Sequence, residues 1–164
     1  MAKKPSGKSQ PGRQILATNR KARHNYSILE VFEAGVVLLG TEVKSLRDGK
    51  ASLVEAYATV DDGEVWLRNL HIPEYHHGSW TNHDPRRNRK LLLHRRQIDG
   101  LIGKIKEGNL ALVPLSMYFF EGKVKVELAL ARGKQAHDKR QDMARRDAQR
   151  EVLRALGRRA KGMT

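Results

Sequence analysis

The chain has no cysteine and no long run of apolar residues. Without cysteine, disulfide bonds and thiolate metal sites are excluded. No apolar segment approaches the roughly 20 residues that cross a bilayer. The basic segment 1–14 is followed only by Ile15, Leu16 and Ala17, which is too short for the apolar part of a signal peptide. We therefore expect a cytoplasmic protein with no membrane partner.

Sequence patterns of catalysis are missing as well. There is no HExxH pattern and no GxSxG nucleophile elbow. Gly35 and Gly40 have the spacing of a phosphate loop but lack the following Lys-Ser/Thr. Histidines cluster irregularly, with no defined ligand spacing, at His71, His76, His77 and His83. We expect no enzyme, no cofactor and no metal site.

Positive charge is concentrated at the two ends of the chain. The net charge is +14 over 164 residues. Residues 1–25 contain seven basic and no acidic residues, and residues 132–164 contain eleven basic and four acidic ones. The middle is neutral, so the pattern indicates a compact body with two arms that bind a polyanion. Tails that only aid solubility are the alternative.

Hairpin patterns dominate the neutral middle. Residues 26–32 and 36–39 have strand composition, and Glu33-Ala34-Gly35 between them predicts a tight turn. Residues 54–60 and 64–72 flank Asp61-Asp62-Gly63, which is a strong hairpin signal. A third hairpin joins 110–120 to 123–131 through Glu121-Gly122. Short elements are expected at 41–47, as a helix, and at 91–93, as a strand.

Residues 94–107 form the one convincing helix of the body. Ile98, Leu101, Ile102 and Ile105 recur at helical spacing, and Gly108 supplies a stop. Three hairpins and one amphipathic helix predict a mainly β fold. We expect an oligonucleotide-binding (OB)-type antiparallel barrel with that helix packed on it and a flexible basic C-terminal tail. The corresponding divisions are a disordered basic arm at 1–14, a barrel domain at 15–131 and a tail at 132–164.

The tail contains helix-forming residues but only a thin apolar stripe. Ion pairs spaced four residues apart contribute about 0.2–0.5 kcal/mol each, whereas ordering one backbone residue costs roughly 1–2 kcal/mol. We therefore expect a tail that is disordered when free and helical on an anionic surface.

A basic run surrounds the strand at 91–93. Arginine makes bidentate phosphate contacts and stacks on bases, so the run favours RNA contact over a merely solvated loop. Among the aromatic residues, we expect Trp66 in the core and leave Trp80 open. The run consists of Arg86, Arg87, Arg89, Lys90, Arg95 and Arg96.

Five segments in order resemble the small protein B family. They are Asn19-Arg-Lys-Ala-Arg-His-Asn-Tyr26, Phe32-Glu-Ala-Gly35, Gly40-Thr-Glu-Val-Lys-Ser-Leu-Arg47, Arg89-Lys-Leu-Leu-Leu-His94 and Gly133-Lys-Gln-Ala-His-Asp-Lys-Arg140. The resemblance extends from about residue 13 to the C-terminus. Each motif alone is weak, but five in family order are specific.

The resemblance implies an RNA-binding adaptor of trans-translation. Members of this family bind the tRNA-like domain of transfer-messenger RNA and substitute for its missing anticodon arm. The complex enters stalled ribosomes with elongation factor Tu. The tail then occupies the empty message channel beside the decoding region of the small subunit.

The resemblance and the basic segments together predict two sets of contact residues. Residues expected to contact RNA are Asn19, Arg20, Lys21, Arg23, His24, Tyr26, Glu33, Lys44, Arg47, Arg89, Lys90, Leu92, His94 and Lys123. Residues of the tail expected to contact the ribosome are Gly133, Lys134, His137, Asp138, Lys139, Arg140, Arg145 and Arg146.

Three of these roles have a physical interpretation. Lys123 opens a strand and is able to reach phosphate. A carboxylate at Glu33 repels phosphate, so it accepts from an exocyclic amine, a 2′-OH or a neighbouring arginine. Leu92 is equally compatible with the core. A general RNA-binding or ribosomal protein with basic tails and an RNA-processing enzyme are the alternative functions.

Overall fold

The computed structural model describes residues 12–77 and 82–162, with the side chains of 136, 137 and 160–162 excepted. Most of the predicted basic arm, including Lys3, Lys4 and Lys8, therefore lies outside the described residues. Trp80 and the side chain of His137 lie outside them too.

Seven strands and four helices make up the described chain. The strands are β1 Arg13–Thr18, β2 Tyr26–Val36, β3 Tyr57–Asp61, β4 Glu64–Arg68, β5 Arg89–Leu92, β6 Leu110–Phe120 and β7 Lys123–Gly133. The helices are α1 Ala22–Asn25, α2 Gly40–Arg47, α3 Arg95–Gly108 and α4 Ala136–Gly162. None of the helices in the described residues has the length and apolar character that a membrane crossing requires.

The sheet closes on itself. Its strand order is β1-β6-β3-β4-β5-β2-β7, and β6 also pairs with β7. Six strands therefore form a ring, while β1 lies beside the C-terminal half of β6, outside that ring. Every pairing is antiparallel. The predicted OB-type antiparallel barrel is confirmed.

Two of the three predicted hairpins are confirmed, and their turns explain why. Asp62 and Gly63 both have positive φ, at 51° and 74°. Glu121 and Gly122 also have positive φ, at 49° and 76°. Paired positive φ values in a two-residue loop match the twist of the flanking strands.

The predicted turn at Glu33-Ala34-Gly35 is wrong, because β2 runs unbroken from Tyr26 to Val36. Gly35 pairs with Leu92 of β5. A Cβ at position 35 would lie 3.3 Å from the Cβ of Leu92. The glycine therefore permits close approach of a neighbouring strand and does not mark a turn.

The barrel interior is the main hydrophobic core. Val124, Val126, Leu128 and Leu130 of β7 point into it, as their alternation predicts. α3 closes the barrel with its predicted stripe, of which Ile98 and Leu101 are buried. The prediction that Trp66 is core is wrong. It lies partly exposed on the outer face of β4, between the buried Val65 and Leu67, because neighbouring strand residues alternate faces.

α1 covers a second, smaller core on the outside of β6 and β7. Ala22 of α1 packs there against Val113, Leu115 and Ala129. Neither α1 nor β1 was predicted. Arg13 and Gln14, which were predicted to belong to the disordered arm, lie in β1. They pair with Phe120 and Phe119 of β6.

A buried ion pair joins α2 to β5. The side chains of Glu42 and Arg89 are both fully buried and bonded to each other. Glu42 also accepts from Arg87 at 2.5 Å and from the Leu39 backbone N–H at 2.9 Å. Burial alone raises the pKa of Glu42, but these donors outweigh burial and lower it.

The Arg89 guanidinium is also held by backbone carbonyl oxygens. It donates to Leu70 at 2.6 Å, Arg87 at 3.0 Å and Pro85 at 3.1 Å. These hydrogen bonds and the Glu42 carboxylate together offset the cost of removing the Arg89 charge from water. The network therefore ties the loop between β4 and β5 to the barrel.

We expect Glu42→Gln to lower the free energy of unfolding by about 3 kcal/mol or more, because it leaves the Arg89 charge buried without a counter-charge. Denaturant unfolding measures the change. The exposed Glu55→Gln is the control and is expected to shift the value by less than about 0.5 kcal/mol.

The same ion pair predicts a pH dependence. Because the pKa of Glu42 is lower in the folded than in the unfolded state, its contribution is complete above its ordinary value of 4.5. The contribution is lost as pH falls below that value. Wild type and Glu42→Gln should thus converge in stability in acid. A stability difference that stays constant down to acid pH would contradict the assignment.

Candidate RNA-binding site

A cleft lies where β2, β5 and the β6–β7 turn meet. Its volume is 670 Å³. Four of the residues expected to contact RNA line it: Glu33, Leu92, His94 and Lys123. They come from three strands and the start of α3, so only the closed barrel brings them together.

The cleft combines an apolar floor with cationic walls. Val36, Leu38, Val43, Leu92 and Leu93 supply apolar surface. Lys123 and Lys125 line the opposite side, and within the described part of the chain neither has a carboxylate partner. This composition suits a nucleotide, whose base is apolar on its faces and whose phosphate is anionic.

Glu33 is held at the edge of the cleft by two donors on one oxygen. Its Oε2 accepts from the Arg13 guanidinium at 3.1 Å and from the Tyr118 hydroxyl at 2.5 Å. The Arg13 guanidinium also lies 4.2 Å from the centroid of the Tyr118 ring. Burial and the Glu33 carboxylate raise the pKa of Tyr118, so its hydroxyl stays protonated as a donor.

The alternation of faces along β5 determines whether the side chains of Arg89 and Leu92 are exposed. In β5, Arg89 and Leu91 face the interior while Lys90 and Leu92 face outward. The side chain of Arg89, which the sequence predicted as an RNA contact, has no exposed surface in the structure. Leu92 is 53% exposed in the cleft, which excludes the core interpretation.

Other members of the basic run also form ion pairs or hydrogen bonds within the protein. Arg87 bonds to Glu42, and Lys90 lies 2.8 Å from Glu64. Arg95 donates to the Gly63 carbonyl oxygen at 2.9 Å. Arg96 is exposed at the start of α3. The run is therefore partly structural, and its charge is not all available to RNA.

α2 presents Lys44 and Arg47 to solvent. Arg47 lines a second groove of 460 Å³ together with Gln14 and Phe119. Gly122 borders both this groove and the cleft, so the two are neighbours across the β6–β7 turn.

The N-terminal motif at 19–26 lies at the other end of the barrel. Tyr26 pairs with Gly133 at the end of β7, whereas Lys123 begins β7 at the cleft. Ten residues of strand span roughly 33 Å. Exposed cations of the motif, Arg20, Lys21 and Arg23, therefore face a region distant from the cleft. His24 and Tyr26 are partly exposed there.

Asn19 is a structural residue of that end. It is 8% exposed, and its side-chain amide donates to the Pro114 carbonyl oxygen at 3.2 Å. This side chain, which the sequence predicted as an RNA contact, is thus mostly buried and has a partner within the protein.

Lys134 fixes the base of the tail at this same end. Its Nζ donates to the Arg23 carbonyl oxygen at 3.0 Å and is also bonded to Asp142. Its backbone N–H donates to the Asn25 carbonyl oxygen at 2.9 Å. The Lys134 ammonium lowers the pKa of Asp142. Lys134, predicted as a ribosome contact, thus also links α1 to α4.

α4 projects from the barrel as a continuous helix of 27 residues. Most of its described side chains are exposed, including Asp138, Arg140, Arg145 and Arg146. Lys139 is partly buried. A groove of 330 Å³ at its base is lined by Gly133, Asp138 and Arg145, among others. Most of the predicted tail residues whose side chains are described are therefore exposed, and Lys134 and Lys139 are the partly buried ones among them.

The clustered histidines do not converge. His83 is buried, and its ring nitrogens lie 2.9 Å from the Thr41 hydroxyl and 2.9 Å from the Ile72 carbonyl oxygen. His76 and His77 are exposed. Among the side chains that the structure describes, no group of three or more His, Asp or Glu residues is placed to hold a metal ion.

The sequence analysis missed Lys125, which lines the cleft, and Arg13 and Tyr118, which bond to Glu33. Lys125 could have been predicted, because residues two apart in a strand point to the same face and Lys125 therefore shares the outer face of β7 with Lys123. No sequence pattern identifies Arg13 and Tyr118, because their contact with Glu33 forms only where β1, β2 and β6 meet in the fold.

A closed antiparallel barrel with a cationic, partly apolar cleft and a basic extension defines a nucleic-acid-binding protein. The family model described as SmpB protein matches residues 16–158. The chain belongs to the SmpB family.

Relatives cover nearly the whole chain. An SsrA-binding protein of Mycolicibacterium vanbaalenii is 77% identical over 100% of this chain and 99% of its own. One of Mycobacterium ulcerans is 84% identical over 98% and 95%. A solved structure described as "tmRNA-SmpB: a journey to the center of the bacterial ribosome" is 55% identical. It matches with a TM-score of 0.61 over 73% of this chain and 84% of that one.

The helix α4 leaves one prediction to be tested in solution. We expect α4 to be largely disordered in the free chain, because it packs little apolar surface to offset its ordering entropy. Far-UV circular dichroism of the full chain and of a chain ending at 135 measures this. The two should have nearly equal total helical ellipticity. A loss equivalent to 27 helical residues on truncation would contradict the expectation.

Proposed function

We propose that this chain is the transfer-messenger RNA-binding adaptor of trans-translation. One observation carries the proposal: Glu33, Leu92, His94 and Lys123, which are distant in sequence, line one cleft. The name of the relatives, SsrA-binding protein, and the ribosome context of the solved structure support the same function.

The cleft binds the tRNA-like domain. Its lysines contact phosphates, and its apolar floor carries Leu92 against a base or ribose. His94 is exposed where β5 meets α3 and serves as a polar contact, not as a proton-transfer group. Lys44, Arg47 and Lys90 extend the same contact surface, which includes Glu33 at its edge.

The opposite end of the barrel faces the ribosome. The exposed cations of the N-terminal motif lie beside the base of α4, since Lys134 bonds to both segments. Any surface that binds the base of the tail is therefore close to Arg20, Lys21 and Arg23. We assign this end to the decoding region of the small subunit and α4 to the empty message channel.

Three further features belong to the proposal. Elongation factor Tu joins through the aminoacylated RNA, without a surface assigned on this chain. The protein acts by binding, with no catalytic residue and no cofactor. Its site of action is the cytoplasm, where ribosomes stall.

A competition gel shift tests the function. Labelled transfer-messenger RNA is titrated with the protein at physiological salt and with Mg²⁺ present, against excess bulk tRNA and an unrelated RNA of equal length. We expect the complex to survive both competitors and the RNA to remain intact.

Each contrary result has a distinct meaning. If bulk RNA competes mole for mole, the basic ends alone drive binding and the protein is a general RNA binder. If the labelled RNA is cleaved in a Mg²⁺-dependent way, the protein is an RNA-processing enzyme.

Lys123→Gln tests the phosphate contact in the cleft. We expect about tenfold weaker binding of the tRNA-like domain, because a hydrogen bond from a charged donor is lost. The slope of log affinity against log salt should fall in magnitude by about 0.7–0.9. Lys106→Gln, at the far end of α3, removes the same charge and should change neither quantity. Equal effects of both variants would sink the assignment.

Removal of residues 136–164 tests the division between the two ends. Affinity for the tRNA-like domain is expected to stay within about twofold of the full chain, since the cleft lies roughly 33 Å from the base of the tail. Peptide tagging on stalled ribosomes should be abolished. A parallel loss of affinity and tagging would show that the tail and the cleft do not act separately.

A further inference from the structure

The Glu33 carboxylate has one occupied and one open oxygen. Both internal donors, from Arg13 and Tyr118, bind Oε2. Within the described residues, Oε1 has no hydrogen-bond partner. The side chain of Glu33 is 46% exposed and lines the cleft. An ionised carboxylate accepts at both oxygens, so Oε1 has unused acceptor capacity.

The two donors are themselves held by the barrel. Tyr118 is 1% exposed, so its phenol has little freedom to leave Glu33. The Arg13 guanidinium covers the Tyr118 ring at 4.2 Å, and its side chain is 23% exposed. Three strands, β1, β6 and β2, thus converge on one carboxylate.

The charges around Glu33 indicate what Oε1 receives. Its cross-strand neighbour in β7 is Glu127, which accepts from Ser116 at 3.3 Å. A phosphate has no proton to donate and is repelled by two carboxylates. Base amino groups, ring N–H groups and the ribose 2′-OH are the donors that RNA offers.

We propose that Arg13 and Tyr118 are positioning residues that orient Glu33 so that its open oxygen accepts an N–H or O–H donor from the bound RNA. The proposal rests on the function proposed for the cleft. The ion pair with Arg13 also offsets part of the Glu33 charge, which reduces its repulsion of the RNA backbone that the neighbouring lysines attract. Glu33 thereby reads a donor group, while Lys123 and Lys125 bind phosphate.

A double-mutant cycle tests the positioning role. Affinity for a transcript of the tRNA-like domain is measured for wild type, Glu33→Gln, Tyr118→Phe and the double variant. We expect Glu33→Gln and Tyr118→Phe each to weaken binding by about tenfold. In the Glu33→Gln background, Tyr118→Phe should cost less than about twofold, because its effect acts through Glu33.

Two controls separate positioning from loss of fold. Tyr57→Phe removes an exposed hydroxyl on β3 and should leave affinity unchanged. The salt dependence for Tyr118→Phe should equal that of wild type, because no phosphate contact is lost. If Tyr118→Phe lowers the melting temperature, Arg13→Gln in the same cycle with Glu33→Gln replaces it. Arg68→Gln, which removes a cation paired with Asp61, is then the charge control.

The outcomes are distinguishable. Wild-type affinity for Tyr118→Phe, or costs that add fully in the double variant, would overturn the positioning role while leaving the cleft intact. If the wild-type protein itself fails to prefer the tRNA-like domain over bulk tRNA, the proposed function fails first.

Discussion

The buried ion pair between Glu42 and Arg89 is the interaction on which the cleft depends. Arg89 begins β5, the strand that presents Leu92 and leads to His94, and Glu42 lies in α2, which follows the cleft residues Val36 and Leu38. The pair therefore holds two walls of the cleft in register. Removing either charge alone would leave the other uncompensated in the interior. The buried pair of charges thus fixes the positions of neighbouring residues that face the cleft.

The closed barrel separates the cleft from the base of the tail by the length of one strand. β7 begins with Lys123 at the cleft and ends with Gly133 at the base of the tail. A hydrogen-bonded strand in a ring is stiff, so the distance between the two surfaces is set by the fold. An adaptor that bridges an RNA and a ribosome needs such a spacer. Lys134 adds a directed exit for α4 through its contacts with Arg23 and Asp142.

Much of the fold was predictable because local chemistry agrees with the tertiary structure. Asp62-Gly63 and Glu121-Gly122 adopt the positive φ values that such hairpins require, and the stripe containing Ile98 and Leu101 packs as its spacing predicts. Predictions from the local sequence were wrong where the role of a residue depends on a part of the chain that is distant in sequence. Gly35 resembles a turn residue but admits Leu92 of β5.

The sequence by itself determined the class of fold, the neutral body with basic ends and the family motifs, because periodicity, turn residues and charge are local properties. Only the tertiary structure decided which charges are available. It buries Arg89, exposes Leu92 and places Arg13 and Tyr118 on Glu33. These outcomes depend on which strands become neighbours when the ring closes. Strand pairing between distant segments is a property of the whole chain, so no local pattern carries it.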